Sequence, residues 1–275
     1  MNHMQSIPEV FSLKGKVGVV TGAAGLLGRY HCQALSEAGA NVVAIDLCEQ
    51  KCSQIARELA ESTGVECIGI KGDVTDGDCL ANIRTQILRK FDHIDILVNN
   101  AAINEKVEDC NELTKFENFP LSLWQKSINV NLTSVFLCSQ IFGSDMARTR
   151  CGSIINIAST YGIVAPDQSL YQKRNGEQSF YKSAAYSTTK GAVIAFTRYL
   201  AAYWGKNGVR VNALVPGGVE NDQESDFIDH YSQRTPLGRM AQPWEYKSAI
   251  VFLAGNASSY MTGASLVVDG GWTAW

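Results

Sequence analysis

The chain has 275 residues, 45% of them hydrophobic and 19% charged, enough to bury a sizeable core as one large α/β unit or two small ones. Its 24 basic and 27 acidic side chains leave a formal net charge of -3, which gives no general attraction to nucleic acid or to an anionic membrane. The best apolar stretch, GAVIAFTRYLAAYW, is interrupted by Arg198, and the N-terminus MNHMQSIPEVFSLKGK has neither an apolar signal core nor a cleavage site, so a cytoplasmic protein with no membrane span is expected.

Residues 16–21 (KVGVVT) read as a first strand, followed by a glycine-rich turn and a helix that runs through Leu35 and ends near Gly39. Residues 41–46 (NVVAID) form a second strand whose unbroken apolar run predicts burial on both faces. A helix over 50–62, a strand over 65–71, a helix over 78–90 and a strand over 94–98 follow. One long helix is expected over 123–148, then a strand at 153–157, a long helix at 184–204 and a strand at 209–214. A helix over 245–253 and a strand over 265–268 close the chain. Strand–helix alternation at this spacing implies right-handed crossovers. The expected fold is therefore α/β: a single-domain Rossmann fold over 13–275, a doubly wound parallel sheet with helices on both faces, behind an extension over 1–12. Ligands of such sheets bind at the carboxyl ends of the strands.

The eight cysteines (Cys32, Cys48, Cys52, Cys67, Cys79, Cys110, Cys138 and Cys151) are scattered, with no C-x-x-C pair and no histidine at ligand spacing. They read as small apolar residues of a reduced compartment, and no metal site is expected.

Directly after the first strand comes Thr21-Gly22-Ala23-Ala24-Gly25-Leu26-Leu27-Gly28. Glycines here permit a tight turn and a close backbone approach to a pyrophosphate, whose charge would sit at the positive end of the next helix. Gly22, Gly25, Leu26 and Leu27 are the candidate contacts. Asp46, eighteen positions after Gly28 at the end of the second strand, would accept hydrogen bonds from adenosine ribose hydroxyls and repel a 2′-phosphate. With no cation at Ala23 or Ala24, NAD is the expected cofactor rather than NADP. The alternative for Asp46 is a helix N-cap beside Cys48 and Glu49. Asp73 and Val74 end the third strand and could bracket the adenine, while Asn100 and Ala101, in Asn99-Asn100-Ala101-Ala102, end the fourth beside the dinucleotide.

The helix over 184–204 begins with Tyr186-Ser187-Thr188-Thr189-Lys190, which puts a phenol and an ammonium on one helix face. The ammonium would lower a phenol pKa that starts near 10, typically by about 1–3 pH units. Such a tyrosine can exchange a proton with an alcohol or carbonyl oxygen. Ser159 ends the strand IINIAS, where its hydroxyl can polarise a substrate oxygen. Asn131 lies within a helical pattern, where it can bend the helix or hold a water with its side chain and a freed carbonyl.

These segments together resemble the single-domain branch of the short-chain dehydrogenase/reductase superfamily, from about Leu13 to Gly271: LKGKVGVVTG, the Asp46 strand end, GDV at 72–74, NNAA, NVNL, GSIINIAS, YSTTK, VRVNALVPGG and MTGASLVVDGG. The resemblance implies that Ser159 orients the substrate oxygen and that Tyr186 is the acid/base. It implies that Lys190 binds the nicotinamide ribose and lowers the tyrosine pKa, and that Asn131 holds a water linking Lys190 to solvent. Pro216, Gly217 and Val219 would border the nicotinamide. It also implies a homotetramer (or dimer).

The chain departs from the family pattern at several places. The turn is Thr-Gly-x-x-Gly-x-x-Gly, a spacing more common in the extended branch, and Asn221 stands where a threonine often contacts the carboxamide. Ser159 and Tyr186 are twenty-seven positions apart, about twice the usual interval. The extra segment, 165–183 (APDQSLYQKRNGEQSFYKS), carries Tyr171, Lys173, Arg174 and Lys182 against Asp167 and Glu177. It reads either as a lid whose cations meet an anionic substrate or as a surface loop or subunit-contact arm. GLLG, TYGIVAPD, PLGRM and VVDGGWTAW are more loosely similar to family members of bacterial surface-carbohydrate pathways. The expected activity is NAD(H)-dependent interconversion of a secondary alcohol and a ketone on a sugar, sugar phosphate or nucleotide sugar. The alternatives are a non-sugar alcohol (polyol, steroid, acyl ketone) or a non-catalytic NAD-binding protein of the same fold. Trp272 and Trp275 read as a tail packing at a subunit interface.

Overall fold

The computed structural model describes residues 5–104 and 111–275. Seven strands form one parallel sheet in the order β3-β2-β1-β4-β5-β6-β7: β1 (Val17–Thr21), β2 (Asn41–Asp46), β3 (Cys67–Lys71), β4 (Ile96–Asn99), β5 (Gly152–Ile157), β6 (Val209–Pro216) and β7 (Ser265–Val268). The helices are α1 (Ile7–Phe11), α2 (Leu26–Glu37), α3 (Glu49–Thr63), α4 (Gly77–Phe91), α5 (Asn111–Thr114), α6 (Leu121–Ile128), α7 (Ser134–Thr149), α8 (Ala184–Trp204), α9 (Ser225–Arg234) and α10 (Lys247–Ala254). The chain winds outward from β1 to β3, then returns to pair β4 with the other side of β1, with Val19 flanked by Val43 and Leu97. Strand order therefore reverses between β1 and β4, and a crevice opens at their carboxyl ends.

Alternation of side chains along the central strands feeds two apolar layers. Val20, Val42, Ala44 and Ile96 pack with Leu35 of α2, Ile55 of α3 and Ile250 of α10 on one face. Val19, Val43, Leu97 and Ile154 pack with Ile87 of α4, Phe142 of α7 and Leu200 of α8 on the other. Both faces being covered, every residue of β1 and β4 is buried, as their unbroken apolar runs require. The fold class expected from the sequence is the one observed.

Boundaries and breaks differ from the expectations in instructive places. Gly64, at φ 73, ends α3 in the left-handed conformation, and β3 begins at Cys67 rather than two residues earlier. The long helix expected over 123–148 is divided into α6 and α7 by a π-helical turn, Asn129–Thr133, with Asn131 inside it. Three helices, α1, α5 and α9, carry too short or too polar a pattern to stand out in the sequence. Within 165–183 a 3-10 turn (Gln168–Tyr171) and an isolated bridge between Gln172 and Gln178 give the insert its own structure.

Candidate active site

The glycine-rich turn is shaped by contacts that leave no room for side chains. Gly22 sits at φ +62, and a Cβ there would lie 2.7 Å from Ala101 Cα. A Cβ on Gly28 would meet Gly22 O at 2.1 Å, so α2 starts flush against the turn. Gly25 is the N-cap of α2 and supplies no side-chain cap, so the first N–H groups of the helix, from Leu26 and Leu27 onward, are free for an anion. Three neighbours fix the turn. Asp46 Oδ2 accepts from Ala24 N at 3.0 Å, while Oδ1 accepts from Cys48 N at 3.3 Å. Cys48, not Asp46, is the N-cap residue of α3. The Asn100 side chain donates to Thr21 O and Gly22 O, both at 3.0 Å, so its amide braces the turn. Thr21, not singled out in the sequence, accepts from the N–H groups of Asn100 and Ala101 at 3.1 Å each. The Gly22 cradle, the bare helix N-terminus and the Asp46 carboxylate together suit a dinucleotide.

Other cofactor candidates are placed less directly. Asp73 is exposed, and its Oδ1 is engaged by Thr75 N and Oγ1 at 2.8 and 2.7 Å. Val74 buries its side chain in the apolar layer of α4. β6 runs to Pro216, and a Cβ on Gly217 would come within 2.8 Å of Asp269 Cα. Val219 pairs with Ala241 just beyond. Asn221 is exposed, and its N–H donates to Gln223 Oε1 at 2.7 Å.

The catalytic candidates converge at the carboxyl end of β5. Ser159 caps a 3-10 turn, Thr160–Gly162, accepting from Tyr161 N at 3.2 Å, and its hydroxyl lies beside Tyr186, whose pKa it lowers. Lys190 is 4% exposed; its Nζ donates to Ile157 O at 2.7 Å and stands 5.8 Å from the centroid of the Tyr186 ring. Burial pulls the Lys190 ammonium down to about 8. Burial also raises Tyr186 above the ordinary phenol value, only partly offset by the Ser159 hydrogen bond. The expected lowering of the Tyr186 pKa is thus corrected: loss of hydration dominates, and the lowering that does act comes from Ser159. Asn131 is 1% exposed, and its side chain grips Ile103 by both backbone groups, accepting from N at 2.7 Å and donating to O at 2.9 Å. Its carboxamide therefore bonds the β4 loop, where the sequence expectation gave it a water to hold.

Charges in the insert are arranged differently from the lid expectation. Lys173 pairs with Glu177 at 3.2 Å, and Arg174 with Asp226 and Asp229 of α9 at 3.1 and 2.7 Å. These two cations are neutralised among the insert and α9 instead of facing the site. Lys182 does reach it, with Nζ over the Tyr186 ring. Trp272 is also corrected: it is buried within its own chain, stacked on Tyr231 at 4.2 Å between ring centroids, because α9 offers an aromatic face beneath the tail. Trp275 remains exposed, its indole N–H donating to Arg234 O at 3.2 Å.

This geometry has counterparts among known proteins. A family model described as enoyl-(acyl carrier protein) reductase matches residues 22–273. Galactitol 2-dehydrogenase of Rhizobium johnstonii is 35% identical over 98% of this chain and 100% of that protein. D-threitol dehydrogenase of Mycolicibacterium smegmatis is 33% identical over 96% of this chain and 95% of its own. The crystal structure of a gluconate 5-dehydrogenase from Burkholderia cenocepacia, in complex with NADP and tartrate, superposes with a TM-score of 0.87 at 30% identity, covering 98% of this chain and 100% of that one. The chain belongs to the short-chain dehydrogenase/reductase family, whose nucleotide-binding fold takes NAD or NADP.

Proposed function

We propose that the protein is an NAD(H)-dependent oxidoreductase interconverting a secondary alcohol and a ketone on a polyol or sugar-derived substrate, working as one unit over 13–275 with 165–183 inserted. The observation that carries this reading is the meeting of Ser159, Tyr186 and Lys190 beside the crevice between β1 and β4. Gly22, Gly25, Leu26 and Leu27 would cradle the pyrophosphate, Asp46 would hold the adenosine ribose, and Asp73, Val74, Asn100 and Ala101 would border the adenosine half. Pro216, Gly217 and Val219 would border the nicotinamide, which when bound exchanges hydride with the substrate carbon. In the oxidation direction, Ser159 Oγ holds the substrate oxygen and ionised Tyr186 takes the hydroxyl proton. Lys190 stabilises the phenolate, and the π turn at Asn131 provides the route by which the proton reaches solvent.

Two observations shape the substrate. The relatives named above include proteins named for galactitol and D-threitol, which are uncharged polyols. The ion-paired state of Lys173 and Arg174 also argues for a neutral polyhydroxylated substrate over a sugar phosphate or nucleotide sugar. Asp46 supports NAD, although the gluconate 5-dehydrogenase structure contains NADP. The exposed, stacked rings of Tyr199 and Tyr203, 5.9 Å apart on α8, support a homo-oligomer, a tetramer or dimer; a monomeric mass by light scattering would refute this.

Formation of NADH or NADPH, followed by absorbance over a panel of polyols, aldonic acids, sugars and their phosphates, tests the reading. Turnover of free polyols with NAD is expected. Tyr186→Phe should keep cofactor binding and lose all but a few per cent of activity, given the roughly 10²–10⁴-fold contribution of acid–base groups. A tenth or more of the activity surviving in Tyr186→Phe refutes the assignment, and a preference for NADP refutes the role of Asp46.

A further inference from the structure

The insert places a cation on the ring of the proton-transferring tyrosine. Lys182 Nζ lies 4.0 Å from the Tyr186 ring centroid and 5.9 Å from that of Tyr161, nearer to Tyr186 than Lys190 at 5.8 Å. Its position is fixed from two sides. Gln168 binds both backbone groups of Lys182, its Oε1 accepting from N at 2.8 Å and its Nε2 donating to O at 3.2 Å. The ammonium donates to Asn104 Oδ1, and Asn104 follows Ile103, the residue gripped by Asn131. One anchor thus comes from the insert and the other from the loop after β4. Ser183, next in the chain, accepts from Tyr186 N at 3.3 Å and starts α8, so little slack separates the lysine from the ring it covers.

We propose that Lys182 is a second cationic positioning residue of the proton-transfer site, supplied by the insert, which holds negative charge on the Tyr186 ring while the phenol is ionised. The inference rests on Tyr186 acting as the acid/base. A phenolate spreads charge into its ring, so an ammonium against the ring face is drawn more strongly to the ionised than to the neutral form. Among the described residues, the other groups facing Tyr186 are Ser159 at its hydroxyl, Lys190 one helical turn on, and the phenols of Tyr161 and Tyr171, with Asp167 and Arg234 beside Tyr161. Burial holds Tyr161 and Tyr171 above the ordinary value, and a charge on Tyr186 raises both further. Lys190 itself is brought down to about 8 by burial, so its own charge is lost as pH rises through that value. Lys182, half-buried and closer to the ring, complements it there.

The test is a spectrophotometric titration of tyrosinate in the absence of substrate, with the Tyr186 contribution isolated by subtracting the same protein carrying Tyr186→Phe. It is applied to wild type, Lys182→Met and Lys182→Arg, each checked for a wild-type melting transition. The Tyr186 midpoint is expected to rise by about one pH unit in Lys182→Met and to stay in place in Lys182→Arg. The acid limb of kcat/KM for alcohol oxidation should move by the same amount, a loss of about tenfold at neutral pH that is recovered at the alkaline plateau. An unmoved midpoint in Lys182→Met overturns the proposal, as does an equal loss of kcat/KM at every pH. Should Lys182→Met fail to fold, Gln168→Leu, which releases the Lys182 backbone but keeps its charge, is expected to raise the midpoint in the same direction; no rise overturns the proposal. A shifted midpoint with no turnover of any alcohol upholds the inference about Lys182 and refutes the proposed reaction.

Discussion

Lys190 illustrates how a buried charge can work against the stability of its own fold. Its ammonium is buried with a carbonyl as partner, and its pKa falls from an ordinary 10.5 to about 8. Between those values the unfolded chain binds a proton that the folded chain lacks, so stability rises as pH increases from about 8 toward 10.5. Below that window the charge is carried inside the fold at a cost. Lys190→Met should therefore melt roughly 2–4 °C above wild type near neutral pH, without cofactor, and lose this advantage toward pH 10. It should also lose turnover. Melting curves at the two pH values decide the matter, and a lower melting point for Lys190→Met at neutral pH would show that the carbonyl contact outweighs desolvation. The Tyr–Lys spacing was visible in the sequence because one helix carries both residues. The direction of the tyrosine shift was not, because it depends on burial, which tertiary packing sets.

At the scale of elements, the π turn at Asn129–Thr133 joins the β4 loop to α8. Asn131 bonds both polar groups of Ile103 and lies 3.4 Å from Thr189 Oγ1, one residue before Lys190. Asn131→Ala should leave Ile103 N–H without its 2.7 Å acceptor, so its amide exchange accelerates, while kcat falls on the order of tenfold to a hundredfold through misplacement of the site. Unchanged protection of Ile103 with reduced kcat would assign Asn131 a role in proton transfer without a clamp. The sequence pointed to Asn131 as an oddity in a helical pattern but showed a single helix there. A π turn adds one residue to a repeat that otherwise stays in phase, and its stabilising partner lies twenty-eight positions upstream. The central strands were legible for the opposite reason: burial on both faces writes an unbroken apolar run into local sequence. α9 was illegible because its few apolar residues, Phe227, Ile228 and Tyr231, pack on the insert and the C-terminal tail rather than on the main core.

For the molecule as a whole, that satellite cluster determines how the insert is held beside the active site. Leu170 and Tyr171 of the insert, Tyr231 of α9, Met240 and Trp272 form a small apolar core of their own. Tyr171 stacks on Phe227 at 5.4 Å and shares a 3.0 Å hydroxyl contact with Tyr161. Outside it, Arg174 bridges to Asp226 and Asp229 with 69% of its side chain exposed. Exposed pairs of this kind contribute about 0–1 kcal/mol each and weaken with salt, whereas truncating a buried aromatic costs about 3–5 kcal/mol. The aromatic contacts should therefore dominate. Tyr171→Ala is expected to release the insert from α9, exposing 165–183 to limited proteolysis and raising KM for the alcohol while cofactor affinity stays unchanged. Arg174→Ala should alter neither cleavage nor KM by more than about twofold, at low or high salt. Comparing the two variants by proteolysis and steady-state kinetics separates the cases. Equal release by Arg174→Ala would make the insert an electrostatically held flap, and a salt-dependent KM in wild type would then follow.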